Sequence, residues 1–149
     1  MKAIIRFTVA TIFLILSAAQ AQAAAPQWEV DPAHSGVYFS VNHIYSTTRG
    51  YFEDFSATVN FSPDDLAGSR FDFEVKVKSI NTGNSKRDGH LNSGDFFDSK
   101  KYPKMTFTST AVKHVKDNRY IVEGKMTVKD VSQTVSVPVS YTHLRAHET

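Results

Sequence analysis

The 149-residue chain contains no cysteine. Thiol catalysis, thiolate metal sites and disulfide stapling are therefore excluded. Charge of one sign is not in excess either: 17 Lys and Arg stand against 15 Asp and Glu. Two of those bases, Lys2 and Arg6, lie at the extreme N-terminus, so the remainder of the chain is electrically balanced. A strong basic stripe, the footprint of a nucleic-acid binder, is missing, and no nucleic-acid partner is expected. Neither a Gly-x-Ser-x-Gly elbow nor a phosphate loop occurs. His34, His43, His90 and His114 are scattered, without the close pairing that zinc sites use. His143 and His147 sit in the last seven residues. No catalytic residue, metal or cofactor is expected, and a hydrolase or metal enzyme ranks last among the readings.

Long apolar runs are also scarce. The one that exists, 7–19, is broken only by Thr8, Thr11 and Ser17. Lys2 and Arg6 precede it, and Ala19-Gln20-Ala21-Gln22-Ala23 follows it. A charged segment, an apolar segment and a small-residue site in that order form a secretory signal peptide. The run is shorter than the roughly 20 residues that span a bilayer. Residues 1–23 are therefore expected to be a leader; cuts after Ala21 and after Ala23 both fit, with Ala23 favoured, and the exported chain is expected to keep no stable membrane span.

Beyond the leader the period is two rather than 3.6. In residues 69–79, Phe71, Phe73, Val75 and Val77 alternate with Asp72, Glu74, Lys76 and Lys78. Successive strand side chains face opposite ways, so this segment has one apolar and one charged face. The same alternation marks 36–43, 51–61, 104–115, 119–128 and 133–141, and a short strand is expected at 27–30. In 51–61 the apolar face is read as Tyr51, Phe55, Ala57, Val59 and Phe61. Asp117-Asn118 and Lys129-Asp130 read as hairpin turns. A long connection, 80–103, carries a segment at 85–92 expected to be helical. About seven one-sided antiparallel strands need a sandwich or a barrel to gather their apolar faces.

Particular residues then resemble a known family. Trp28, Asp31-Pro32-Ala33-His34-Ser35, Val41-Asn42-His43 and Gly50-Tyr51-Phe52 resemble the opening of the YceI-like family. Asn81-Thr82, Arg87-Asp88-Gly89-His90-Leu91 and Asp95-Phe96-Phe97-Asp98 are similar to its central block. Tyr102-Pro103, Phe107-Thr108-Ser109 and Gly124-Lys125-Met126-Thr127-Val128 continue the likeness. Each motif alone is weak, and their order and spacing make the resemblance. It implies an all-β, antiparallel, lipocalin-like barrel in the periplasm that holds a polyisoprenoid, such as a quinone tail or a prenyl phosphate. It implies no enzyme. The family continues with strands that close the barrel, whereas alternation here stops after Tyr141. The expected organisation is a leader at 1–23, a C-terminally shortened YceI-like domain at 24–141, and a non-native tail at 142–149.

The alternation selects Phe39, Val41, Phe71, Phe73, Val75, Val77, Phe107, Val122, Met126, Val135 and Val137 as an apolar wall, and only the resemblance turns that wall into a pocket. Arg87 and His90, in the long connection, are the candidate partners for a lipid's polar end, since Arg and Lys suit phosphate. Arg87-Asp88 equally reads as a structural pair fixing that connection to the sheet. The expected partner is an isoprenoid lipid, with a homodimer left open. The rival reading is a non-catalytic envelope module whose core is filled by its own side chains.

Overall fold

The computed structural model of the chain describes residues 25–43 and 45–142. The expected leader and the expected tail from residue 143 onward lie outside those residues. The described elements, in chain order, are β1 (Gln27–Trp28), β2 (Val37–His43), β3 (Ser46–Phe52), β4 (Phe55–Asn60), β5 (Arg70–Lys76), a 3-10 turn (Val77–Ser79), β6 (Ile80–Asn81), α1 (Ser85–Leu91), β7 (Lys104–Lys116), β8 (Arg119–Val128) and β9 (Val131–Ser140). Every strand pairing is antiparallel. The all-β expectation with one short helix is borne out. The sheets do not close on each other: one has six strands in the order β1-β4-β5-β7-β8-β9, the other three in the order β2-β3-β6.

About seven strands were expected, and nine are found among the described residues. The difference arises at one corner. Residues 51–61 are not one strand but the end of β3 and the whole of β4, separated at Glu53-Asp54. Residues 69–79 likewise stop being a strand at Lys76, and Val77 lies in the 3-10 turn rather than on the strand face. Both bends fall side by side, because β4 pairs with β5 in one sheet and β3 pairs with β6 in the other. Backbone bonds lock them: Glu53 N–H donates to Ser79 O at 3.1 Å, and Lys76 N–H donates to Asp54 O at 2.9 Å. The Lys76 ammonium adds an ion pair with Asp54 at 2.7 Å. Its hydrogen bond to that carboxylate, reinforced by the charge attraction, raises the Lys76 pKa. One pair of strands thus turns from one sheet into the next, as in orthogonal sheet packing. Tyr51 consequently faces away from the core, and its neighbour Phe52 packs inward at 6% exposure.

The meander β7-β8-β9 forms as its turn chemistry predicts. Asp117 (φ 53°) turns β7 into β8, and Lys129 (φ 50°) with Asp130 (φ 60°) closes the two-residue hairpin between β8 and β9. Such hairpins need positive φ at both central residues. Lys129, a costly residue there, donates from Nζ to Phe96 O at 2.6 Å, which ties the turn to the long connection. In α1, the Asn84 side chain caps the N-terminus by accepting from Arg87 N–H at 3.1 Å, the usual way to satisfy an orphan helix donor.

Candidate functional site

The inner face of the six-stranded sheet is a ladder of apolar rows set by register. Phe55, Val75 and Met105 form one row; Ala57, Phe73, Phe107 and Met126 form the next. Val59 and Phe71 begin the row beyond. Cross-strand neighbours in such rows are the unit of sheet stabilisation.

Both ends of this face are packed. At one end Phe61, Phe71, Phe107, Val112, Tyr120 and Val122 are buried together, with Met126, Val135 and Tyr141 against them. Phe61 is the hub: its ring meets Tyr120 at 5.0 Å, Tyr141 at 5.2 Å and Phe71 at 5.8 Å. Trp28 donates its indole N–H to Phe61 O at 2.9 Å. At the other end, beside the corner, Phe52, Val75 and Ile80 are buried, with Phe39, Leu91, Phe97 and Met105 packed on them. Phe97, from the long connection, meets the Phe52 ring at 6.4 Å.

Among the described residues, the face between the ends is open. Phe73 points the same way as Phe71 and Val75, each 7% exposed, yet is itself 36% exposed. Its ring touches Phe107 at 6.3 Å, and its register partner on the other side is the small Ala57. A cleft of about 430 Å³ adjoins this stretch at the β4 edge, where the chain leaves β1. Trp28, Val30, Phe55 and Ala57 line its apolar part. A second hollow of about 280 Å³ lies over the centre of the same sheet. Six of its nine lining residues are Ser56, Thr58, Asp72, Glu74, Thr106 and Thr108. These alternate with the apolar row, so we assign that hollow to the polar outer face.

The expected wall residues therefore divide. Phe71, Val75, Val77, Phe107 and Val122 are buried, and Phe39, Met126 and Val135 are half-buried. Val41 and Val137, expected to face the interior, are exposed: Val41 sits far along β2, beyond the pairing of β3 with β6, and Val137 lies on the edge strand β9. Ala57 and Phe55 were missed as wall residues of the opening, although the alternation of 51–61 contained both. The signal was the small residue placed opposite a large one across the β4–β5 pair.

The expected polar anchors are tied into the long connection. Arg87 donates from Nε to Thr82 Oγ1 at 2.7 Å and from a terminal nitrogen to Thr82 O at 2.8 Å. Asp88 accepts from Thr82 N–H at 3.0 Å and Thr82 Oγ1 at 2.6 Å. The two side chains grip the same threonine and, among the described residues, do not form the ion pair with each other that was expected. His90 stands 3.4 Å from Asp95 and packs against the Phe96 ring at 4.8 Å, on the exposed side. Among the described residues no three of His, Asp and Glu gather as metal ligands, and no helix is long and apolar enough to cross a membrane.

This architecture has known counterparts. The chain is 34% identical over 123 residues to a UPF0312 protein of Photorhabdus laumondii, covering 82% of this chain and 64% of that protein. It is 35% identical over 125 residues to Protein YceI of Escherichia coli, covering 83% and 65% respectively. The chain thus spans just under two thirds of the length of these relatives. The crystal structure of Burkholderia cenocepacia BcnA superposes with a TM-score of 0.76 at 35% identity, over 79% of this chain and 74% of that one. A polyisoprenoid binding domain from Saccharophagus degradans shares the fold, with a TM-score of 0.52 at 15% identity over 68% of this chain and 58% of that one. The family model for the YceI-like domain matches residues 28–148, and the chain belongs to the YceI-like family.

Proposed function

We propose that this chain binds the hydrocarbon tail of a long isoprenoid lipid, of the quinone-tail or prenyl-phosphate type, and does so in the periplasm after loss of its leader. One observation carries the reading: an apolar, inward-facing row that both neighbouring ends would bury is left uncovered at Phe73. A filled-core module would close that row with its own side chains. The ligand class named for the Saccharophagus domain of the same fold supports the choice of guest.

The energetics favour a long chain. A buried methylene is worth about 0.8 kcal/mol, so one five-carbon isoprene unit yields roughly 3–4 kcal/mol gross. Association consumes about 4–15 kcal/mol first. Several units must lie on the apolar rows before binding is useful. The rows offer no charge and few hydrogen bonds, so the site acts by holding rather than by chemistry.

Organic-solvent extraction of the purified chain, followed by mass spectrometry, tests the reading, together with titration by a prenyl compound. A co-purifying isoprenoid supports it. An empty extract with no binding on titration overturns it in favour of the filled-core module, and turnover of a lipid phosphate overturns it in favour of a hydrolase. Periplasmic location is checked by N-terminal sequencing of protein recovered from that compartment, which is expected to begin at Ala24.

A further inference from the structure

The β2–β3 hairpin has an outer surface unlike the rest of the molecule. Register pairs Tyr38 with Tyr51, Ser40 with Arg49 and Asn42 with Thr47. These side chains alternate with Phe39 and Phe52, which pack against the core, so they share the outward face. Tyr38 is 77% exposed, Tyr51 40%, and Tyr45 at the hairpin tip is fully exposed. The Tyr38 and Tyr51 rings lie 6.2 Å apart.

Charge sets this face apart as well. No acidic residue occurs between Asp31 and Glu53. Arg49 is exposed and, among the described residues, meets no carboxylate. The outside of the six-stranded sheet, by contrast, pairs Lys104 with Glu74 at 2.8 Å and Lys113 with Glu123 at 2.6 Å. A water-facing sheet is normally interspersed with both signs of charge. Here Tyr38 and Tyr51 share the outward face, with Tyr45 at the tip, and its cation, Arg49, meets no carboxylate among the described residues.

We propose that this face rests on an anionic lipid bilayer. Tyrosine places an apolar ring and a polar hydroxyl across the membrane–water boundary. A lone arginine with no competing carboxylate is drawn to acidic head groups. The inference rests on the isoprenoid reading, since a tail of that kind must be taken from or returned to a membrane. Docking by the hairpin would bring the corner end of the apolar face close to the bilayer.

The test is co-sedimentation of the chain, in the form a host bacterium exports, with vesicles of phosphatidylglycerol and phosphatidylcholine or of phosphatidylcholine alone. Binding is expected to the anionic vesicles and to weaken with salt. Arg49→Gln should lower the partition about fivefold, with Arg49→Lys restoring most of it. Replacing Tyr38, Tyr45 and Tyr51 together by Ser should lower it at least about tenfold. Circular dichroism reports whether that variant folds; if it does not, the two Arg49 variants decide. Equal binding to both kinds of vesicle, or no difference between variants and parent, overturns the proposal. Isoprenoid titration in detergent separates the two claims. A chain that takes isoprenoid but ignores vesicles loses the docking face and keeps the proposed function. One that binds vesicles as expected but takes no isoprenoid keeps the face and loses the function.

Discussion

Phe71 and Phe73 leave the same strand in the same direction, two residues apart, and end in different surroundings. Phe71 is pressed against Phe61 and buried; Phe73 has Ala57 on one side, Phe107 on the other and open space above. The strand is the same, and so is the residue type. What differs is whether another part of the chain reaches across. The aromatic end builds stability, and the open row beside it is where the proposed lipid would add its own surface.

Substitutions should separate these two regions. Phe61→Ala is expected to have the largest effect, about 3–5 kcal/mol of lost stability, because it empties the centre of a packed cluster. Denaturant unfolding measures it, and a loss under about 1 kcal/mol would mean that the aromatic end is not packed as described. Gly124→Ala comes next. A Cβ there would stand 2.5 Å from the Phe107 ring and 2.6 Å from Thr108 O, so overpacking of about 1–3 kcal/mol is expected. Phe73→Ala should change stability by only about 1 kcal/mol yet weaken prenyl binding about tenfold by removing apolar wall. Equal losses of stability in Phe61→Ala and Phe73→Ala would erase the contrast.

The smallest effect lies outside both regions, in the turn before β2. The carboxylate of Asp31 accepts from His34 Nδ1 at 2.6 Å and from Ala33 N–H at 2.9 Å. These bonds, that to His34 first, lower its pKa below 3.8. A depressed carboxylate stabilises the folded turn at pH values above 3.8, and that contribution fades as pH falls through the lowered value. His34→Ala should raise the Asp31 titration, followed by NMR, toward 3.8, the backbone bonds from Ala33 and residue 34 keeping part of the lowering. An unchanged titration would remove the histidine from this account.

Much of the fold was legible because backbone period and turn chemistry are local. Phe71 to Val75 announced a one-sided strand, Asp117-Asn118 and Lys129-Asp130 announced hairpins, and 85–92 announced α1. The strand β3 was not legible, since Ser46-Thr47-Thr48-Arg49 has no apolar alternation and reads as loop. Nor was β6, two residues long and placed by its pairing with β3. The break at Glu53-Asp54 was hidden because Tyr51 and Phe55 seemed to continue one face, and the marks against it were the skipped Glu53 and the apolar Phe52 on the opposite face. Within each observed strand, which side chains share a face was readable from alternation; across the corner it was not, since Tyr51 points outward and Phe52 inward. How far each is covered was not readable either, because Val41, Phe73 and Val137 owe their exposure to distant segments.

The corner has a mechanical meaning. Two neighbouring strands cross from one sheet to the other at the same point, Glu53-Asp54 beside Val77–Ser79. The sheets are thus joined like the leaves of a creased card. To part them, a load must first straighten two covalent chains held together by backbone bonds, not merely peel side chains apart. A swelling guest would open the free margins and leave the crease where it is.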